Sequence, residues 1–264
     1  MKRCFSTLGC AELGLDEVLQ LARHHSFAGV ELRALGGTID LPAHLFASCG
    51  SPDALATRMS AGSVKIVAFD TSLKLVGSTD EEWQKTVDGF LPWTEAIGGT
   101  NLRVFDGGSN GGAEEIAQMA ARVRWWQELR RARGWRSELM VETHDSLFTA
   151  APILALVRAA PGALILWDSH HTWKRGGEDP VETWRAIRAH VVHIHIKDSV
   201  SEPSARHPYT YVLPGSGEFP AIGLLASLRS EFAGPLSLEW ERMWHPYLPP
   251  LGEALDAATS AGWW

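Results

Sequence analysis

The sequence predicts an α/β fold: one closed (β/α)8 barrel of the TIM type, a single domain spanning residues 1–264. Three observations carry this. Short β-rich runs alternate with helical stretches eight times, which implies parallel strands joined by right-handed crossovers. No Ser/Gly-rich linker or charge block divides the chain. No GxGxxG follows the first β-rich run, so the signature of the competing doubly wound dinucleotide fold is missing.

Taken in order, RCFSTL precedes LDEVLQLARHH, AGVELR precedes DALATRMSAG, and VKIVAF precedes DEEWQKTVDGFLPWTEAIG. NLRVFD leads into AEEIAQMAARVRWWQELRRARG, ELMVETH into LFTAAPILALVRAA, and GALILWD into DPVETWRAIRAH. VVHIHIK with PAIGLLASLRSEF and PLSLEWE with LPPLGEALDAATSAG complete eight units. A length of 264 residues suits one such barrel.

Composition narrows the function classes. The hydrophobic share of 45% and charged share of 21% are those of an ordinary globular chain. A formal charge of -7 opposes sequence-blind nucleic-acid binding, which needs a basic footprint. No run approaches the roughly 18–20 apolar residues of a membrane helix, and MKRCFSTLGC lacks the apolar core of a signal peptide. Cys4, Cys10 and Cys49 cannot all pair and show no CxxC spacing, which favours a reduced, cytoplasmic setting. Twelve tryptophans stand against three tyrosines. Trp167 and Trp240 alternate outward from Asp168 and Glu239 and are expected against the helices, while Trp173 and Trp244 lie near the motifs that follow.

The stretch VVHIHIKDS (191–199) is strand-like yet carries two imidazoles, a lysine and an aspartate. Side chains alternate faces in a strand, so Val192, Ile194 and Ile196 are expected on one face and His193, His195 and Lys197 on the other. In a closed barrel, chemistry collects at the C-terminal strand ends. There the fifth strand ends MVETHD with Glu142 and His144, the sixth ends at Asp168 before His170 and His171, the seventh carries His195, and the eighth carries Ser237, Glu239 and Glu241. Three carboxylates and one imidazole on adjacent strands suit one divalent ion, Mn²⁺, Mg²⁺ or Co²⁺ rather than Zn²⁺. His193 is a pleat deeper, a place for packing or for supporting a ligand. Glu241 is expected to reach only the rim.

VVHIHIKDS, VETHD, LWDSHHTW and LSLEWE resemble motifs of the xylose isomerase-like TIM barrel superfamily, the sugar phosphate isomerase/epimerase family among them. LDEVLQLARHHSFAGVELRA and LPGSGEFP extend the resemblance over nearly the whole chain. It implies metal ligands Glu142, Asp168, His195 and Glu239, with Glu142 and Glu239 as the acid–base pair and His171 touching substrate oxygens. Glu31 and Arg33 match its second-strand element; Glu31 either bonds a substrate hydroxyl or braces the barrel floor. His144 and Lys197 sit at a height for substrate contact, although Lys197–Asp198 equally suits a rim salt bridge. Arg103, closing the fourth strand, faces the pocket or pairs with a carboxylate. His207 is a weaker candidate. Members commonly self-associate, so a homo-oligomer is expected.

The implied activity is that of a metal-dependent isomerase or epimerase of carbohydrate metabolism, acting on a small ketose or related polyhydroxy carbonyl through an enediolate. Loss of a β-hydroxyl from the same intermediate makes an inosose dehydratase-type lyase the main alternative; a non-catalytic sugar-binding barrel is the other. An endonuclease IV-like reading lacks histidines in ELRAL and VAFDTS. GGSNGG (107–112) reads as a flexible connection or a phosphate-cradling loop. With no evident basic cluster, the expected substrate is a neutral sugar or cyclitol.

Overall fold

A computed structural model describes residues 1–264. Eight parallel strands close the barrel: β1 (Lys2–Ser6), β2 (Gly29–Leu32), β3 (Lys65–Lys74), β4 (Asn101–Phe105), β5 (Leu139–Glu142), β6 (Leu164–Asp168), β7 (Val191–Ile196) and β10 (Pro235–Leu238). Between β7 and β10 lies an antiparallel hairpin, β8 (Asp198–Val200) with β9 (Thr210–Val212). The hairpin belongs to the segment after VVHIHIK, where no strand was expected.

The helices are α1 (Leu15–His24), α2 (Leu41–Cys49), α3 (Pro52–Ser60), α4 (Asp80–Ala96), α5 (Ala113–Arg133), α6 (Ala150–Ala159), α7 (Ser169–Lys174), α8 (Pro180–Ile187), α9 (Ala221–Glu231) and α10 (Leu251–Ser260). Their starts follow from local chemistry. Asp40, Ser51 and Asp179 cap helices that carry proline in the first turn, where its missing N–H costs nothing. Thr79 and Glu82 form a reciprocal capping box at α4. The sequence reading omits α2 and α7. α7, with six residues, is too short for apolar periodicity to register, whereas α2 carries apolar residues on both faces, Leu41 and Leu45 buried but Phe46 exposed, which blurs its pattern.

The main core lies between barrel and helices. Trp167 stacks on Trp184 at 6.1 Å and donates from Nε1 to Thr172 Oγ1 at 2.9 Å; Trp240 donates to the Pro249 carbonyl at 2.8 Å. Both indoles therefore face outward, as expected from alternation. The barrel interior has a small apolar floor of Ala68, Met140 and Leu166. Val192 packs on this floor instead of joining Ile194 and Ile196 in the outer core. The cause is a slip in the β6–β7 register, from Ile165–Val191 to Leu166–His193. Such a bulge spends one residue without advancing the alternation.

Carboxylates tie down the loops above the strands. Buried Asp106 accepts from the backbone N–H groups of His144, Asp145, Ser146 and Leu147 and from Ser146 Oγ. Asp198 does the same for Ser199, Gly215, Gly217 and Phe219. The GGSNGG turn is closed by Glu115, which accepts from the N–H groups of Ser109, Asn110 and Gly111. Its anion-binding backbone is thus filled by the chain's own carboxylate. The cysteines are free, and no helix is long and apolar enough to cross a membrane.

Asp106→Ala would strand several buried N–H groups at about 1–3 kcal/mol each. A loss of at least about 3 kcal/mol is expected, lowering Tm by roughly 6–12 °C. A thermal melt shifted by less than about 2 °C would show that the β5–α6 loop does not depend on this carboxylate.

Candidate metal centre

The second face of β7 answers to a cluster built across the barrel. Ligand atoms of Glu142 (β5), Asp168 (β6), His195 (β7) and Glu239 (just past β10) all lie within 4.8 Å of one another, and all four residues are buried. Metal–oxygen and metal–nitrogen bonds of about 2.0–2.2 Å would place opposite ligands about 4.2 Å apart, so the cluster is close to the size one ion requires. His195 Nδ1 lies 3.3 Å from Glu239 and 3.6 Å from Glu142 without a hydrogen bond to either, while Glu142 Oε2 is ion-paired with Arg103 at 3.2 Å but not hydrogen-bonded. Orphaned, convergent buried donors of this kind fit a divalent cation.

Each donor is fixed from behind. Asp168 accepts the His171 N–H through Oδ1 at 2.9 Å, capping α7, which leaves Oδ2 for the cluster. Glu31 (β2) lies wholly inside the barrel, its two oxygens each 3.0 Å from His195 Nε2 and its Oε2 2.7 Å from His193 Nε2. An Nε2–H donated to Glu31 leaves the Nδ1 lone pair for a metal, the usual carboxylate–histidine–metal arrangement. Of the two readings of Glu31, this geometry supports the bracing one, since both its oxygens are occupied by His195 and His193. His193 also contacts Ser237 Oγ at 2.8 Å, and so takes the supporting place its depth suggested. Glu31, His193 and His195 form a second convergent group, here held together by their own hydrogen bonds.

Lys197 departs from expectation. It is 1% exposed, and its ammonium contacts Asp168 Oδ2 at 2.8 Å, Glu241 at 2.7 Å and Glu239 closely. A rim pair with Asp198 is absent, because Asp198 is spent on the loop N–H groups. Burial works against this ammonium, but Asp168, Glu239 and Glu241 outweigh it and hold Lys197 firmly protonated. Glu239 is likewise kept well below the usual carboxylate range: His195 and Lys197 overcome the opposing effect of burial. Asp168 is raised to about 6 by burial, which Lys197 only partly offsets.

A cavity of about 300 Å³ opens above the cluster, at the small end for ligand sites. Glu239 and Glu241 reach it from one side; Arg103, His144 and His171 also line it. Arg103 faces the pocket and pairs with Glu142 at 3.2 Å, so both readings of it hold together. His171 Nδ1 donates to the Thr143 carbonyl at 3.1 Å. A carbonyl can only accept, so the neutral ring presents Nε2 as an acceptor. Burial lowers its pKa well below the histidine range, which preserves that neutral state. His207 is on the wall after all, beside Trp244. His170 instead sits in an aromatic box of Trp173, Tyr209, Tyr211 and Phe219.

The sequence reading missed Asp70, Arg206 and His245. Asp70 (β3) is fully buried, 3.7 Å from Arg103, its carboxyl raised by burial and by Glu31. A charge at the end of apolar VAFD is the kind of signal that marked Asp168 and could have found it. Arg206 and His245 reach the cavity from loops, which have no periodicity to read.

Fold and site together define an α/β barrel with a buried carboxylate–imidazole cluster at the C-terminal ends of its strands. Residues 19–263 match the family described as xylose isomerase-like TIM barrel, and the chain belongs to that family. A search of curated proteins finds no match. Among solved structures, the probable 3-DHS dehydratase AsbF of Bacillus anthracis is 19% identical, with a TM-score of 0.79 over 98% of this chain and 99% of that one. The IOLI protein with a bound zinc atom is 21% identical, with a TM-score of 0.74 over 99% and 96%. A xylose isomerase-like TIM barrel/4-hydroxyphenylpyruvate dioxygenase fusion is 23% identical over 98% of this chain and 42% of that protein, with a TM-score of 0.71. At these identities the likeness establishes the shared fold.

Calorimetric titration with Mn²⁺ should show affinity falling at least about 100-fold in His195→Ala and about 10–100-fold in Glu31→Gln, the range for lost support of a ligand. His193→Ala should lose less than His195→Ala. Equal losses in the two histidine variants would undo the assignment of His195 as the liganding ring.

Proposed function

We propose that this protein is a divalent-metal-dependent isomerase or epimerase that moves a proton on the carbon beside a carbonyl of a small polyhydroxy substrate. The observation that carries this reading is the pairing of Glu142 and Glu239, which approach from β5 and β10 with His195 Nδ1 between them. A divalent ion held by Glu142, Asp168, His195 and Glu239 would supply Lewis acidity to the carbonyl and its neighbouring hydroxyl, acidifying the C–H between them. Mn²⁺, Mg²⁺ or Co²⁺ suits the oxygen-rich donor set better than Zn²⁺, although the structurally similar IOLI protein carries zinc.

The chain's own groups do the rest. One carboxylate accepts the proton and leaves an enediolate; the other returns a proton to the opposite face for epimerisation, or to the adjacent carbon for isomerisation. Arg103, 3.2 Å from Glu142, keeps that carboxyl below its usual range against the effect of burial, so it enters the reaction ionised. His171 Nε2 accepts a substrate hydroxyl and orients the carbon chain; His144 lines the wall beside it at 5.0 Å between ring centres.

A lyase is the second reading. Its support is Glu241, which shares the cavity wall with Glu239, lies outside the four-donor cluster and contacts Lys197 at 2.7 Å. Departure of a β-hydroxyl needs a proton donor separate from the base, and Glu241 is a cavity carboxyl group outside the metal cluster that could carry that proton. AsbF, described as a probable dehydratase, shares the fold.

Incubating Mn²⁺-loaded protein in D₂O with ketoses, hydroxypyruvate and inososes should give deuterium on carbon beside the carbonyl, read by NMR. The product identifies the reaction: an inverted centre, a shifted carbonyl or a lost water. Glu142→Gln and Glu239→Gln should each slow exchange by about 10²–10⁴-fold in protein that circular dichroism shows to be folded, with a lower Tm because Arg103 or Lys197 loses a buried partner. Full exchange in either variant would overturn the acid–base assignment.

A further inference from the structure

One buried cation at the cavity has no carboxylate partner of its own. Asp70 and Glu142 are engaged by Arg103; Asp168, Glu239 and Glu241 by Lys197; Glu31 by His193 and His195. Arg33, just past β2, is left over. The residue is 6% exposed, its one side-chain hydrogen bond is from Nη2 to Ser72 Oγ at 3.1 Å, and no carboxylate comes within 4.0 Å of it. Its guanidinium lines the cavity, and Arg206, which also has no acidic partner, lines the mouth with His207. A buried cation without a counter-ion is costly. Burial and the neighbouring Arg103 cation together lower the Arg33 pKa to about 10, which leaves it charged at neutral pH. Carboxylates outnumber cations in the cluster, and a divalent ion there would offset that excess without giving Arg33 a partner.

We propose that the substrate carries an anionic group, a carboxylate or a phosphate, bound by Arg33 inside the cavity and Arg206 at its mouth. This rests on the proton-transfer reading of the same cavity and names its class of substrate; it replaces the neutral sugar expected from the acidic composition. A planar guanidinium offers two parallel N–H groups to either oxyanion. Arg33 comes from β2 and Arg206 from the loop between β8 and β9, so the anion is held by walls far apart in the chain. That arrangement orients the substrate as well as attracting it.

The test uses Mn²⁺-loaded protein and three matched probes: cyclohexanecarboxylate, cyclohexyl phosphate and the neutral cyclohexanecarboxamide. Calorimetry should find at least one anion bound about tenfold or more tightly than the amide, and the better anion identifies carboxylate or phosphate. Arg33→Met should erase that preference, since a charge-assisted contact is worth roughly 10- to 100-fold in affinity. Arg33→Lys should restore part of it, and Arg206→Ala, a surface change that spares the core, should weaken anion binding about threefold. Arg124→Met, on the outer helix α5, should leave it unchanged. Equal binding of all three probes, no binding of either anion, or a preference that survives in a folded Arg33→Met would overturn the proposal. Deuterium exchange separates the two readings. Exchange confined to neutral ketoses with no anion preference sinks this inference and spares the proton-transfer reading. An Arg33-dependent anion preference with no exchange in any carbonyl compound does the reverse.

Discussion

Charge buried inside a closed barrel has to be balanced inside the barrel, and His195 and Lys197 are where most of that balancing occurs. His195 meets Glu31 through one nitrogen and faces Glu142 and Glu239 with the other, while Lys197 spans Asp168, Glu239 and Glu241. Barrels of this type usually fill their interior with layers of branched apolar side chains. Here the apolar floor is Ala68, Met140 and Leu166, and the space above is ionic. Removing one partner would leave its opposite buried and uncompensated, a far larger penalty than the pair's net contribution to stability. The network is thus a poor source of stability and a strong constraint on geometry. Stability comes from the outer core, where the indoles of Trp167, Trp184 and Trp240 are packed between strands and helices.

The same economy governs the rim. Asp106 and Asp198 close the loops after β5 and β7 by collecting backbone N–H groups that would otherwise face a dry interior. Loops positioned in this way keep little freedom, so the residues they carry, such as His144, arrive in the cavity already oriented. Pre-set donors and acceptors act on developing charge without reorganising, which is what the proposed proton transfer would require. Asp168 joins the two levels: one oxygen ends β6 by capping α7, and the other enters the cluster.

Much of this was legible in the chain itself. The eight units follow from hydrophobic periodicity, which reports the face each segment buries. Glu142, Asp168, His195 and Glu239 were visible because a carboxylate or imidazole at the end of an apolar strand has no place in a packed core. Alternation also placed His193 below His195 and turned Trp167 and Trp240 outward. It failed at Val192, where a bulge shifts the register, since pairing with β6 is invisible from β7 alone. It also could not assign Lys197 or Glu31 a partner. Lys197 finds its carboxylates on β6 and beyond β10, and Glu31 finds its imidazoles on β7.

By itself, then, the sequence determined the barrel, its family resemblance and the donors that converge at the strand ends, because these depend on residue type and local period. Tertiary structure alone decided which charges cancel and which remain. Arg33, Arg103 and Arg206 are separated by whole strand–helix units and form no basic cluster in the chain, yet closure of the barrel brings all three to one cavity. Net charge sums over the molecule, whereas a substrate meets only the field of the walls around it.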